Sequence, residues 1–197
     1  MRRVLAARFF NRPTLVVARE LLGKFLVRRY RGGQLELLLS EVEAYDGPED
    51  RASHANRGLT PRTQVMFGPA GIFYVYFTYG MHWMLNVVTG PSGYPAAVLL
   101  RGGIVPDFGR GKVSVNGPAR LTKYMHVGPR LNARRACPAT GLWFEDRGVE
   151  VTSRRIITGK RIGVEYAAEW QDRPYNFRLA ERALARLARR QAVRAPT

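Results

Sequence analysis

Two apolar runs, joined by a pair of glycines, lie in the segment Lys24-Phe-Leu-Val-Arg-Arg-Tyr-Arg-Gly-Gly-Gln-Leu-Glu-Leu-Leu-Leu-Ser-Glu-Val42. Gly32 and Gly33 tolerate the positive φ of a tight turn, so the pattern predicts an antiparallel β-hairpin. Side chains alternate between the two faces of a strand, so every second residue of the later run should share one side. That face is predicted to carry Leu35, Leu37, Leu39, Glu41, Glu43 and Tyr45. Two carboxylates and a phenol are therefore expected to emerge together from the edge of a hydrophobic core.

Further strand-prone runs follow along the chain. The two strongest are residues 71–77 and 83–88, which are joined by Thr78-Tyr-Gly-Met-His82 and predict a second hairpin. Shorter candidates are residues 96–101, 143–144, 149–152 and 161–164. Strands without a regular alternation with helices predict the α+β class, with one curved, largely antiparallel sheet, short helices and a protruding β-hairpin.

Helical periodicity is found near both ends of the chain. Residues 11–22 predict a short helix, with Asn11 near its N-cap, Pro13 in its first turn and Gly23 at its end. The arginine-rich residues 178–197 carry leucine and alanine at helical spacing, which predicts a basic helical tail docked by its leucines. The length of 197 residues suits one domain, and we expect residues 1–197 to form it.

The chain is strongly basic, with 32 Lys and Arg against 15 Asp and Glu and a formal net charge of +17. This charge is typical of proteins that bind nucleic acid or an acidic membrane surface. Arg8 and the Asn11-Arg-Pro13 segment interrupt the first apolar run, so we expect neither a secretory signal nor a membrane partner. A single cysteine, and three histidines without zinc-site spacing, predict no metal and no cofactor.

The turn of the second hairpin contains an aromatic residue in an unusual place. Tyr79 stands beside Gly80, where a rigid ring can project away from the sheet and wedge between stacked bases. Tyr74 and Tyr76 precede it on one face of the strand, where the commoner role of tyrosine is packing in the sheet. We keep that role for Tyr74, whereas the position of Tyr79 argues against burial.

In the same order along the chain, several segments resemble the methylpurine-DNA glycosylase (alkyladenine glycosylase) family. They are Glu41-Val-Glu-Ala-Tyr-Asp-Gly-Pro-Glu-Asp-Arg-Ala-Ser-His54, Thr60-Pro-Arg62, Met66-Phe67, Tyr74-Val-Tyr-Phe-Thr-Tyr-Gly-Met81, Asn86, Val98-Leu-Leu-Arg101, Asn116-Gly-Pro118 and Arg161-Ile-Gly-Val164. The resemblance covers about residues 9–177, and its combination of segments is highly specific. The C-terminal tail has no match in the family pattern.

The resemblance implies a role for each matching residue. Glu43 matches the general base that activates water, and Arg101 an arginine near that water. Among the base-binding positions, the aromatic walls that stack on the base correspond to Tyr45, His54 and Tyr76. The residue that discriminates against guanine corresponds to Asn86. Two further positions, whose backbone lines the pocket, correspond to Ala52 and Val164. Tyr79 matches the intercalating side chain, and the adjacent Met81 and His82 are candidate DNA contacts.

The expected function is therefore that of a monofunctional base-excision-repair enzyme. It would flip an alkylated or deaminated purine out of double-stranded DNA and hydrolyse its N-glycosidic bond, leaving an abasic site. The motif contains no lysine for a Schiff base, Glu41 is expected to pair with an arginine, and Glu49 and Asp50 to order their loop. We expect a monomer that acts in the cytoplasm on the nucleoid if the source is bacterial, or in the nucleus if it is eukaryotic.

Two alternatives from other classes remain at this point. A metal-dependent nuclease could bind magnesium through Glu41, Glu43, Glu49 and Asp50. A noncatalytic nucleic-acid-binding protein would need the positive charge and the aromatic residues but not Glu43.

Overall fold

The computed structural model describes residues 2–106 and 113–180. Its ten strands are β1 (Arg3–Val4), β2 (Phe25–Tyr30), β3 (Gly33–Asp46), β4 (Phe73–Thr78), β5 (His82–Val88), β6 (Ala96–Val105), β7 (Val113–Asn116), β8 (Leu142–Asp146), β9 (Ile156–Gly159) and β10 (Asn176–Leu179). The α-helices are α1 (Ala7–Phe10), α2 (Thr14–Leu21) and α3 (Pro118–Tyr124). Short 3-10 helices cover His54–Arg57, Gln64–Phe67, Pro129–Leu131, Pro138–Thr140, Ser153–Arg155 and Ala168–Asp172.

All ten strands belong to one antiparallel sheet. Its main path runs β1-β8-β2-β3-β6-β5-β4, while β7 pairs with β6, and β10 pairs with both β3 and β9. The long strand β3 lies at the centre and changes its neighbour along its length, from β2 near its start to β10 near its end. The α+β class is therefore confirmed, and β4 and β5 form the expected hairpin at one end of the sheet.

The first predicted hairpin is confirmed, with its turn one residue earlier than expected. Tyr30 pairs with Gly33, and the two residues between them, Arg31 and Gly32, have φ values of 48° and 79°. Positive φ at both central positions is the geometry of the turn type that matches the twist of a two-stranded ribbon. Gly33 therefore begins β3 and is not part of the turn.

The predicted single face of β3 is only partly right. Leu38 and Leu39 are consecutive, yet both belong to the main hydrophobic core, and the pairing of β3 with β6 is irregular on each side of Glu41. Beyond this irregularity the alternation is regular again. Val42 and Ala44 are buried in the main core, while Glu43 and Tyr45 point to the opposite face.

The helix predicted over residues 11–22 begins later than expected, as α2, because Asn11 ends α1 and Pro13 is the N-cap. Val17, Ala18 and Leu21 on α2 are fully buried against the sheet. Burial of apolar side chains on this face supplies most of the stability of so short a helix.

Two strand predictions are wrong. Residues 149–152 form no ladder, although Val149 and Val151 pack against the main core. Residues 161–164 form a loop, because Arg161 enters a buried ion pair and Gly163 has a φ of 77°.

The structure also adds elements that the pattern did not predict: β1, β7, β9, β10, α1 and α3. Arg178 and Leu179 at the start of the predicted tail belong to β10, where they pair with β9, so the tail does not begin as a helix there. Residues 181–197 of that predicted tail lie outside the described part of the chain. No helix among the described residues is long and apolar enough to cross a membrane.

The two faces of the sheet bury different clusters. The main core packs one face against α2 and includes Phe73, Leu85, Val98 and Leu100. A smaller cluster on the other face includes Tyr74, Val88 and Ala97 and packs against the loop segment that contains Ala55, Val65 and Met66. This second face supports the candidate site.

Candidate active site

A cavity of about 400 Å³, here called the central cavity, opens on the second face of the sheet beside the β4–β5 hairpin. This volume lies within the range of small-molecule sites and can hold a purine. Most of the site residues predicted from sequence line this one cavity: Tyr45, Ala52, His54, Tyr76, Tyr79, Asn86, Arg101 and Val164. Met81 and His82 do not line it; they contribute to a groove beyond the hairpin tip.

Strand register explains why residues that are distant in sequence meet here. Tyr74 pairs with Asn86, Asn86 with Leu99, Leu99 with Glu43, and Glu43 with Asn176, across five consecutive strands. Paired residues of antiparallel strands project to the same face, so these five side chains form one row. Glu43 itself does not line the cavity, but its carboxylate contacts two residues that do, Tyr45 and Arg101.

Glu43 is fully buried and accepts hydrogen bonds from several directions. Its Oε1 accepts from the backbone N–H of Ile162 at 2.8 Å and from Asn176 Nδ2 at 3.1 Å. Its Oε2 accepts from the Tyr45 hydroxyl at 3.0 Å and lies 3.4 Å from Arg101 Nη1. These donors fix the orientation of the carboxylate, and Arg101 also supplies a compensating positive charge.

Burial raises the pKa of Glu43 above that of an ordinary glutamate, although Arg101, the Ile162 N–H, Asn176 and Tyr45 all oppose the shift. Desolvation disfavours the charged form, whereas a nearby cation and hydrogen-bond donors favour it. A carboxylate with a raised pKa is a better proton acceptor than a solvated one, which suits a general base.

Arg101 and Glu41 support Glu43. The Nε of Arg101 lies 3.1 Å from Glu41 Oε1 and 3.3 Å from Glu43 Oε1, so one guanidinium serves both carboxylates. Glu41 therefore pairs with an arginine, as expected, and it does not line the cavity.

Asn176 is a residue of this carboxylate network that the sequence prediction missed. Its amide nitrogen donates to Glu41 at 2.9 Å as well as to Glu43, and its side chain is buried. Nothing in the local pattern around Asn176 distinguishes it, because its role depends on the pairing of β10 with β3. Its contact with Glu43 suits a positioning residue.

Replacing Asn176 with alanine should raise the pKa of Glu43 further, because a donor that favours the ionised form is lost. The role of general base that the resemblance implies for Glu43 requires the ionised form, so activity should disappear as the pH falls through this pKa. In Asn176→Ala we expect the acid limb of the single-turnover rate profile to move to higher pH. The rate on the plateau at higher pH should fall less than the rate on the acid limb. A lower plateau with an unmoved acid limb would mean that Asn176 has only a structural role.

His54 is a neutral wall of the cavity. Its Nδ1 lies 3.0 Å from the Tyr74 hydroxyl, and its ring packs edge-on against Tyr76 with centroids 4.6 Å apart. Burial, with Arg62 and Arg57 nearby, lowers the pKa of His54 to about 4. The imidazole is therefore uncharged at neutral pH, which favours stacking and hydrogen bonding over proton donation as its role.

Asn86 is held rigidly in the cavity wall. Its side chain is buried, and its amide nitrogen donates to the Tyr74 carbonyl oxygen at 3.1 Å. With one N–H engaged, the side-chain oxygen and the second N–H are the polar groups left to face a bound base. A fixed side chain of this kind can exclude a ligand by shape.

A buried ion pair holds together the two loops that form the cavity rim. Asp50 and Arg161 have fully buried side chains, and Arg161 Nη2 donates to Asp50 Oδ1 at 2.8 Å. Asp50 also accepts from the backbone N–H of Asp46 and of Ala52, so its expected role in ordering its loop is confirmed. Ala52 and Val164 pack together beneath the rim.

Tyr79 occupies the tip of the β4–β5 hairpin. Its side chain is 80% exposed, and its φ of 51° is followed by 64° at Gly80. A non-glycine residue with positive φ is strained by about 1–3 kcal/mol, and such strain is concentrated at functional sites. The tight turn projects the ring beyond the sheet, as predicted.

The four carboxylates of the nuclease alternative are not gathered together. Asp50 is paired with Arg161, Glu41 and Glu43 share Arg101, and Glu49 is exposed. Within residues 2–106 and 113–180, no three His, Cys, Asp or Glu side chains are grouped as a metal site would require.

Comparison with known proteins shows that the chain is a DNA glycosylase, an enzyme that removes alkylated bases from DNA. The family model described as methylpurine-DNA glycosylase matches residues 8–183. The chain belongs to the methylpurine-DNA glycosylase family. This membership sets aside both the nuclease and the noncatalytic alternatives.

Several relatives carry the name "Putative 3-methyladenine DNA glycosylase". One from Methanocella arvoryzae is 43% identical over 185 residues, covering 88% of this chain and 91% of the relative. One from Myxococcus xanthus is 44% identical over 174 residues, covering 86% of each chain. A third, from Desulfitobacterium hafniense, is 38% identical and covers 90% of this chain and 95% of the relative.

Proposed function

We propose that this enzyme turns an alkylated purine out of duplex DNA into the central cavity and hydrolyses its N-glycosidic bond with a water activated by Glu43. The observation that carries the proposal is a fully buried carboxylate of raised pKa that contacts Tyr45 and Arg101, two residues lining a cavity walled by aromatic side chains. Chemistry on a base requires access to atoms that a duplex conceals, and extrusion supplies this access.

Stacking on aromatic residues offsets the free-energy cost of extruding the base. Unstacking a base costs a few kcal/mol, and less when the base is damaged and poorly paired. Stacking on a ring contributes about 1–3 kcal/mol per base. Tyr45 and Tyr76 in the cavity wall would stack on the extruded purine, and Tyr79 at the hairpin tip would fill the gap left in the duplex.

The chemical step needs a base and a stabilising negative charge. Glu43 accepts a proton from water as the water oxygen bonds to the anomeric carbon, and the bond from that carbon to the purine nitrogen breaks. The bonding electrons leave with the purine, so a cationic alkylpurine departs as a neutral molecule. The ionised carboxylate also stabilises the oxocarbenium-like transition state, as in the hydrolysis of glycosides.

The walls of the cavity suit a cationic base. Electron-rich tyrosine rings attract a positively charged, electron-poor purine through their faces. His54 stays uncharged at neutral pH because its pKa lies at about 4, so it does not repel such a ligand. Asn86, fixed by its bond to the Tyr74 carbonyl, would exclude the exocyclic amine of guanine by shape.

Release of a free base is the direct test of this function. The enzyme is incubated with a duplex that contains one N-methylated purine, in the presence of a chelator, and the products are separated chromatographically. The proposal expects free methylpurine and an alkali-sensitive abasic site, with no strand cleavage before alkali. Strand scission without free base would contradict it.

We expect a monomeric enzyme that, in a bacterial or archaeal cell, acts on the nucleoid in the cytoplasm.

Replacing Tyr79 with alanine should weaken excision from a duplex more than from a single strand. Only a duplex leaves a gap that needs filling, and a lost stacking ring costs about 1–3 kcal/mol, or about 5- to 150-fold. Single-turnover rates at subsaturating enzyme, on the same lesion in both contexts, measure the difference. Tyr79→Phe is the matched control, because it keeps the ring and should retain most of the activity. Equal losses in the two contexts would mean that Tyr79 is not a wedge.

A further inference from the structure

A second concave surface lies beyond the hairpin tip and is not explained by base binding. This groove, here called the outer groove, has a volume of about 730 Å³ and runs between β5 and α3. The hairpin contributes Met81, His82 and Trp83 to it, and the α3 side contributes Arg120, Lys123 and His126. None of these six residues lines the central cavity.

The central cavity and the outer groove lie on opposite sides of the β4–β5 hairpin. Tyr76 pairs with Met84, and both line the central cavity. The next pair along the hairpin, Phe77 and Trp83, projects to the opposite face because side chains alternate along a strand. Their rings pack with centroids 4.8 Å apart, and Phe77 remains 46% exposed. An aromatic surface thus continues on the far side of the wedge.

The outer groove is preformed. The hydroxyl of Thr122 on α3 donates to the carbonyl oxygen of Trp83 at 2.9 Å, which fixes the helix against β5. At the end of the groove, the His126 ring stacks on Tyr30 with centroids 4.0 Å apart and planes inclined by 8°. Little rearrangement is needed to bind a ligand at a surface held in this way.

The charge and the surface chemistry of the outer groove suit a nucleic acid strand. Arg120 and Lys123 are exposed cations, and no carboxylate is found among the described residues that line the groove. Cations bind phosphates irrespective of sequence, and the half-buried indole of Trp83 offers its exposed part to a sugar or a base.

We propose that the outer groove holds the complementary strand, opposite the lesion, and so keeps the duplex open around the wedge. The inference rests on the proposed function. A side chain inserted into a duplex at an extruded nucleotide has one strand on each side of it. The lesion strand must lie on the side of the central cavity, so its complement lies on the side of Trp83, Arg120 and Lys123.

Removing the two cations tests the proposal. The double variant Arg120→Gln/Lys123→Gln is compared with the wild type and with Arg8→Gln/Arg154→Gln, which removes the same charge from exposed positions outside both sites. The probes are a duplex containing a tetrahydrofuran abasic analogue and its lesion strand alone. Fluorescence anisotropy gives the dissociation constants over a range of sodium chloride concentrations.

The groove variant should bind the duplex about 10-fold more weakly at low salt, with a salt slope shallower by about 1.8, since each lost phosphate contact contributes about 0.9. Its affinity for the single strand should stay within about twofold of the wild type, and the control should keep the wild-type ratio of duplex to single-strand affinity. Equal losses on both probes, or no loss on the duplex, would overturn the assignment to the complementary strand. A wild-type enzyme that excises no base would instead refute the proposed function itself.

Discussion

Replacing Glu43 with glutamine should reduce the rate of base excision by about 10²- to 10⁴-fold, the range that a positioned general base contributes. Glutamine has nearly the same shape as glutamate, but it cannot take a proton from water or stabilise an oxocarbenium ion by charge. Its amide oxygen can still accept from Ile162 and Asn176, so the cavity should keep its form. Single-turnover excision of a methylated purine measures the loss, and binding to an abasic-site analogue should be retained.

Glu41→Gln is the matched control for this variant. Glu41 lies two residues earlier on the same strand and shares Arg101 and Asn176 with Glu43, so the same chemical change is made in the same network. We expect a loss of less than about tenfold for Glu41→Gln, because this carboxylate does not act on water. Undiminished excision by Glu43→Gln, or an equal loss in both variants, would refute the assignment of Glu43 as the base.

Replacing Asp50 with asparagine should lower the free energy of unfolding by about 3–5 kcal/mol, because Arg161 would be left as a buried charge without its counterion. Both side chains are fully buried, and Arg161 also donates to the Ala44 carbonyl oxygen at 2.9 Å. Urea denaturation followed by tryptophan fluorescence gives the change. Asp172→Asn is the control, since its pairing with Lys160 is exposed and should contribute at most about 1 kcal/mol.

A second variant separates the charge from the shape of this pair. Replacing both partners, as Asp50→Leu/Arg161→Met, removes the uncompensated charge and should recover part of the stability lost in Asp50→Asn. Activity should not recover in parallel, because the pair positions the loop residues Ala52 and Ile162 at the cavity. A double variant less stable than Asp50→Asn would show that hydrogen bonding by the pair outweighs the cost of burying it.

Local sequence patterns predicted the elements whose signal is contained within a few residues. Both hairpins were predicted because alternating apolar runs flank a glycine-containing turn, and the projection of Tyr79 followed from its place beside Gly80. The strand predicted over residues 161–164 was wrong because its local pattern is outweighed by contacts with residues distant in the chain. Its apolar pattern is satisfied by packing of Val164 beneath the rim, while a distant carboxylate holds Arg161 in a loop.

The sequence by itself determined the α+β class, the family and the identity of most residues around the central cavity, because those properties depend on residue types and short spacings. Only the tertiary structure decided which carboxylate is buried, that Asn176 and the Ile162 N–H orient it, and that the pKa of His54 falls to about 4. It also decided that a second groove, with two cations from α3, lies beside the hairpin. Desolvation and hydrogen bonding depend on what surrounds a group in space, and for Glu43 the neighbours beyond its own strand come from β6, β10 and the loop at Ile162, which are far from it in the chain.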